Sequence, residues 1–328
     1  MEENAINNFE NRIDTSSLIQ DLNKLREGIS KVVKGQQKTI DLLLTAILAD
    51  GHVLLEGVPG VAKTLTAKTL SIMIEGEYSR IQFTPDLMPS DVIGTNVYNA
   101  ASNTFDFRKG PIFGNIVLVD EINRAPAKTQ SSLFEVMEER QITYDGTRYK
   151  MEEPFLVIGT QNPVEQEGTY PLPEAQLDRF LFKIDLDYPE EQDELEVLKM
   201  HHEHQQPTQL IIEEFKLNRE RLKEFRDLAK QVIVKEEILD YILKLVRITR
   251  TNKDLYLGAS PRAGVALLNA SKAWACLQGR DFVTPDDIAY VIKPILRHRL
   301  IMTAEKEMEG ENMDRVIDRI IHTVEVPR

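Results

Sequence analysis

Gly51–Leu70 reads GHVLLEGVPGVAKTLTAKTL, and its three parts run in order as apolar strand, glycine-containing loop and helix. Val53, Leu54 and Leu55 form the apolar run, Gly57-Val58-Pro59-Gly60-Val61-Ala62 the loop, and Lys63-Thr64 opens an Ala/Leu/Thr stretch. That order is the context of a phosphate-binding P-loop. Backbone N–H groups of such a loop point at a polyphosphate, and the helix that follows adds the positive end of its dipole. The cradle is then Gly57, Val58, Pro59, Gly60, Val61, Ala62, Lys63, Thr64 and Leu65. Lys63 is placed to reach the β- and γ-phosphates of ATP, and the Thr64 hydroxyl to ligate Mg²⁺. The strict pattern has Gly where this chain has Ala62. Alanine is harmless there if its backbone is already helical; it is serious only if a positive φ is required.

Upstream, the polar stretch from Met1 to Thr15 is expected to fray. Leu18, Leu22, Leu25, Ile29 and Val32 then recur at helical spacing until Gly35, and Ile40, Leu43, Leu44, Ile47 and Leu48 mark a second helix. Downstream, Ser79–Phe83 reads as a short strand. The Pro/Gly/Asn/Asp-rich segment Thr84–Gly114 holds two alternating runs, Thr95–Tyr98 and Thr104–Phe107, which predict an inserted hairpin. Ile116-Val117-Leu118-Val119 is a strand buried on both faces, ending in Asp120-Glu121. A helix from Pro126 to Glu139 follows, then a second hairpin around Asp145-Gly146. Phe155–Ile158 leads to Thr160-Gln161-Asn162-Pro163, and Phe180–Ile184 is a further strand.

Strands alternating with helices predict an α/β fold with a doubly wound parallel sheet, which binds ligands at the carboxyl ends of its strands. Asp120, Glu121 and Asn162 fall at those ends. From Pro189 onward the strand signal stops: Glu190–Gln206 is a charged connector, and the remainder reads as helices over Ile238–Arg250, Ser260–Leu277 and onward from Thr284. The expected organisation is a nucleotide-binding core over residues 1–188, a linker over 189–206 and an all-α lid over 207–328.

The 328 residues leave room for about two domains. A single cysteine, Cys276, excludes an intrachain disulfide framework, and its Ala/Trp/Leu neighbours mark it as a small core residue. Neither a signal peptide nor an uninterrupted apolar run of membrane-spanning length is visible, so a cytoplasmic location is expected. The formal charge of −13 argues against binding to nucleic-acid backbones. It leaves room for one local basic pore, for which Arg108, Lys109, Arg148 and Lys150 near the hairpins are the candidates.

Phosphoryl transfer needs positioning and charge stabilisation. Asp120 can hold Mg²⁺, directly or through water, and Glu121 can polarise the attacking water; two acids ending a strand are by themselves usually a solvated loop, and the P-loop upstream turns the reading to function. Asn162 is either a neutral group that orients the water or a turn residue before Pro163. Arg179 can reach a neighbouring subunit's γ-phosphate as an arginine finger, or form an ion pair with Asp178 or Glu174. Arg262, just after Ser260-Pro261, opposes its helix dipole, which points to an anionic partner such as bound phosphate. His201-His202-Glu203-His204 resembles a metal cluster, but adjacent histidines on a helix face different directions, and a solvated linker is the plainer reading.

LLEGVPGVAKT, IQFTPDLMPSDVIGT, NIVLVDEINRAPAKTQSSLFEVMEER, IGTQNPVEQEGTYPLPEAQLDRF and GASPRA together resemble the MoxR family of AAA+ ATPases, over a match from about Val33 to the end of the chain. The resemblance implies an αβα P-loop core followed by a small helical lid. It assigns Lys63 and Thr64 to Walker A, Asp120 and Glu121 to Walker B, Asn162 to sensor 1, Arg179 to the arginine finger and Arg262 to sensor 2, acting in its own subunit or across the interface. It makes Ala before the Walker lysine ordinary, and reads the hairpins as the helix-2 and pre-sensor-1 inserts. It further implies a homo-oligomeric ring, commonly a hexamer, that uses ATP and Mg²⁺ to remodel a protein client, often with a separate partner containing a von Willebrand factor A domain. A DNA-translocating helicase-like ring and a nucleotide-gated scaffold without catalysis are the alternatives.

Overall fold

A computed structural model describes residues 16–163, 168–203 and 215–327. The polar N-terminal stretch and His204 lie outside the described residues. Contacts divide the chain into two compact units: Leu25–Arg219, and Glu220–Arg328 with the start of the first helix. That helix, Ser16–Val32, buries the apolar stripe Leu18, Leu22, Leu25, Ile29 and Val32.

Eleven strands occur among the described residues. The first unit is built on β1 (His52–Gly57), β2 (Tyr78–Gln82), β5 (Ile116–Asp120), β8 (Leu156–Gln161) and β9 (Phe180–Leu186). They form one five-stranded sheet in the order β2-β5-β8-β1-β9, and every pair is parallel. The buried runs predicted for Ile116–Val119 and Phe155–Ile158 are its central strands, and β5 is buried at all five positions. Apolar residues on both faces fit a strand covered on both sides by helices. Phe134 from the helix Ala127–Glu139 meets Phe180 edge-on at 5.9 Å. Such a pair contributes about 0.5–1.5 kcal/mol beyond its buried area.

Two hairpins interrupt the α/β pattern at the predicted places: β3 (Gly94–Asn99) with β4 (Thr104–Lys109), and β6 (Gln141–Tyr144) with β7 (Thr147–Lys150). Asp145 and Gly146 both take positive φ, 49° and 76°, as a type I′ turn requires. Gly94 sits at φ 104°, and a Cβ there would lie 2.2 Å from the Arg108 carbonyl, so only glycine lets the hairpin close. Phe107 of β4 packs on Tyr144 and Tyr149 at 4.8 and 4.5 Å between ring centres, which fastens the two hairpins to each other.

The second unit is mainly helical, with Glu236–Thr249, Pro261–Leu277, Pro285–Leu296 and Met313–Thr323 as its longer members. The helix start expected at Thr284 is present. Asp287 accepts from the Thr284 backbone N–H at 2.7 Å, and Arg280 forms an ion pair with the same carboxylate. Trp274 stacks on Tyr290 at 3.9 Å, and Cys276 is buried beside it in sequence. A short ribbon, β10 (Leu255–Leu257) with β11 (Ile301–Met302), also belongs to this unit. Strands of three and two residues are too short for alternation to announce them. No helix among the described residues is long and apolar enough to cross a membrane.

Candidate nucleotide site

The carboxyl ends of β1, β5 and β8 lie side by side, because register sets Leu55 beside Thr160 and Val119 beside Gly159. The P-loop leaves β1 there and returns as the helix Lys63–Met73. Gly60 takes φ 90° within the loop. Ala62 then takes φ 61°, ψ 21°, left-handed, immediately before the helix. Of the two conditions left open for this alanine, the costly one holds. A non-glycine residue held there stores about 1–3 kcal/mol of strain, a cost commonly found at ligand sites.

Between these strand ends is a cavity of about 390 Å³, lined by Lys63, Thr64 and neighbouring loop residues, Asp120, Glu121 and Asn162. Five of the residues singled out for nucleotide chemistry thus share one space. Lys63 Nζ donates to the carbonyls of Gly57 at 2.6 Å and Gln161 at 3.2 Å, so its ammonium is oriented across the ends of β1 and β8.

Three residues not singled out in the sequence complete the same wall: Arg80 and Gln82 of β2, and Thr160 of β8. Asp120, buried to 6% exposure, accepts from Arg80 Nε at 2.7 Å on Oδ2 and from the Thr160 hydroxyl at 3.1 Å on Oδ1. The Thr160 hydroxyl oxygen in turn accepts from the Glu121 backbone N–H at 3.0 Å. Glu121 itself is left-handed, at φ 55°, ψ 52°. Its carboxylate accepts from Gln82 Nε2 at 3.0 Å and pairs with Arg124 Nε at 3.0 Å. Nearby, Tyr78 has its phenol pKa raised, first by burial and then by the Asp120 charge, with Arg80 acting in the opposite sense. A signal for Arg80 and Gln82 was present: they sit two apart at the end of a strand, so they share one face. Thr160 stands in the same relation to Asn162.

The donor chemistry fits Mg²⁺. Asp120 and Thr64 offer hard carboxylate and hydroxyl oxygens to one cavity, and the cation that balances the buried Asp120 in this structure is Arg80.

A second cavity of about 630 Å³ shares Pro59, Gly60, Ala62 and Leu65 with the first. Val32, Tyr188, Val197, Leu198 and Met200 give it apolar walls, with Lys34, Gln36, Glu194 and His201 at polar positions. An apolar slot adjoining a phosphate cradle suits a base beside its phosphates. His201 and His202 belong to the helix Glu191–His202. No group of three or more His, Cys, Asp or Glu that could hold a metal ion occurs among the described residues.

Arg179 is elsewhere. It precedes β9, whose first residue pairs with His52 at the start of β1, whereas the P-loop leaves the far end of β1. Six residues of strand put about 20 Å between the two ends. Arg179 Nη1 donates to the Phe134 carbonyl at 2.6 Å and lies 3.5 Å from Glu138, rather than in the pairs expected with Asp178 or Glu174. Arg262 is exposed in the first turn of Pro261–Leu277, in the helical unit.

A family model described as "ATPase family associated with various cellular activities (AAA)" matches residues 52–182, and one described as "AAA lid domain" matches residues 247–320. The uncharacterized protein YeaC of Bacillus subtilis is 46% identical over 93% of this chain and 95% of its own. Chaperone MoxR1 of Mycobacterium tuberculosis is 42% identical over 92% of this chain and 81% of its own. Protein MoxR of Methylorubrum extorquens is 30% identical over 93% and 94% respectively. A crystal structure of a protein from Cytophaga hutchinsonii matches with a TM-score of 0.88 at 42% identity, covering 96% of this chain and 97% of that one.

Proposed function

The chain belongs to the MoxR family of AAA+ ATPases, and on that premise we propose that it is a Mg²⁺-dependent ATPase whose hydrolysis cycle, run between neighbouring subunits, remodels a protein client. The observation that carries this reading is the convergence of Lys63, Thr64, Asp120, Glu121 and Asn162 on one cavity beside a left-handed P-loop cap.

In this reading the loop N–H groups from Gly57 to Leu65 bind the phosphates, and Lys63 turns from its two carbonyls to the β- and γ-phosphates. Thr64 and Asp120 would hold Mg²⁺, which would supply charge neutralisation to the phosphates during transfer. Glu121 accepts a proton from the attacking water, and the Asn162 amide orients that water without repelling phosphate. Base and ribose occupy the apolar cavity. Arg262 acts as the lid's sensor of phosphate.

Arg179 belongs to a neighbouring subunit's site. About 20 Å of strand separates it from its own P-loop, so a ring places it where its own chain does not. A homo-oligomeric ring, with a hexamer as the expected form, is what the family resemblance implies, and the position of Arg179 away from its own P-loop supports it. The name of the relative MoxR1 supports chaperone-like action, and a von Willebrand factor A domain protein is the partner proposed for it.

Glu121→Gln tests the assignment. Nucleotide binding should persist while turnover falls by at least about 10²-fold, the usual worth of a positioned base. Wild-type turnover in that variant would overturn it.

A further inference from the structure

Asp120 is committed on both oxygens, and the two commitments differ in kind. On Oδ1 the Thr160 hydroxyl, itself 2% exposed, is a fixed donor built into the neighbouring strand. On Oδ2 the donor is Arg80, whose side chain is 51% exposed against 9% for that of Asp120. Arg80 has one further hydrogen bond, from a terminal guanidinium nitrogen to Gln82 Oε1 at 3.3 Å. A buried carboxylate is thus balanced by a cation whose own arm is half in water.

We propose that Arg80 is a displaceable internal cation, which competes with the divalent metal for Asp120 and withdraws when the metal–nucleotide complex binds. This rests on the reading of Asp120 as the metal carboxylate. The physical case is one of unequal strengths. A carboxylate buried like Asp120 requires a counter-charge at all times, because an unpaired buried charge is strongly destabilising. A half-exposed ion pair, by contrast, is worth little and is readily exchanged. Arg80 is suited to the interval between metals: its single positive charge satisfies Asp120, and its planar fork needs only a side-chain rotation to leave. A hard dication held by Asp120, directly or through water, would supply the larger charge. The consequence is that Arg80 sets the threshold of metal binding, and the wild-type site holds metal less tightly than its oxygen donors alone allow.

The test is a Mn²⁺ titration of the full-length protein saturated with ADP, read by the electron paramagnetic resonance signal of free Mn²⁺. Arg80→Gln should lower the Mn²⁺ dissociation constant by about two- to fivefold, the range set by a half-exposed ion pair. Arg80→Met, which keeps the apolar stem, should give the same shift; in EDTA both variants should melt below wild type, as an uncompensated buried carboxylate requires, and saturating Mn²⁺ should restore them. An unchanged or raised dissociation constant overturns the inference. So does a loss of ADP affinity in EDTA, which would make Arg80 a phosphate ligand. Asp120→Asn separates the two layers. If it leaves Mn²⁺ binding intact, the assignment of Asp120 itself is wrong. If it abolishes binding while Arg80→Gln changes nothing, only the competition fails.

Discussion

Thr160 joins the two acids of the site through one hydroxyl: it donates to Asp120 Oδ1 at 3.1 Å and accepts from the Glu121 backbone N–H at 3.0 Å. The neighbouring strand thereby fixes both the carboxylate proposed to hold metal and the left-handed backbone that carries the one proposed to activate water. Thr160→Val removes the hydroxyl at nearly constant shape. A lost hydrogen bond to a charged group is worth about 1.5–3 kcal/mol, so turnover should fall roughly 10- to 100-fold. Thr160→Ser should restore most of it. Steady-state ATPase assays of the three proteins, with nucleotide affinity measured in parallel, check this. Equal rates for Val and Thr would show that the bridge is incidental.

Ala62 should be improvable as a folding element. Its φ of 61° is strained for alanine and free for glycine. Ala62→Gly removes that strain but adds about 0.4–1 kcal/mol of unfolded-chain entropy. The expected net effect is a gain of about 1 kcal/mol in unfolding free energy, since αL strain is about 1–3 kcal/mol. Urea denaturation without nucleotide measures it, and Ala62→Val should move the midpoint the other way.

Cys276 gives a pH dependence with a definite sign. Burial raises its thiol pKa from 9.0 to about 11. The folded state therefore keeps a proton that the unfolded state gives up, and this contribution to stability is complete below pH 9. It is lost as pH rises through about 11. The slope of unfolding free energy against pH over that interval should be shallower in Cys276→Ala than in wild type. A thiol reagent at pH 8 should label the wild-type protein only after denaturant is added.

Much of this site was legible in the order of residues, for a physical reason. The P-loop is local, so its strand, loop and helix are contiguous, and Lys63 and Thr64 need no tertiary information to be placed. Asp120-Glu121 and Asn162 announce themselves by ending apolar runs, which in a parallel sheet puts them at the ligand edge. That Arg80 and Gln82 share a strand face was legible, but which acids they meet was not. Arg80, Gln82 and Thr160 become neighbours of Asp120 and Glu121 only through strand order β2-β5-β8, which no local pattern states. The backbone sign of Ala62 was equally hidden, since helix propensity says nothing about the residue before the first turn. The pairing of Arg179 with Glu138 rather than its sequence neighbours comes from the packing of a helix on β9. The apolar cavity draws on Val32, Tyr188 and Leu198, residues far apart in the chain that read singly as ordinary surface or core.

In the proposed mechanism each active site is completed by a second copy of the chain. Glu121→Gln and Arg179→Ala each disable a different half, and each alone should have almost no ATPase activity while binding nucleotide. Mixed in equal parts and allowed to reassemble, they should regain activity. About one interface in four would then join an intact Glu121 to an intact Arg179 from its neighbour, as a head-to-tail ring requires. Recovery to about a quarter of the wild-type rate is the predicted result. A mixture as inactive as its components, or an Arg179→Ala protein that hydrolyses ATP normally by itself, would contradict the shared site.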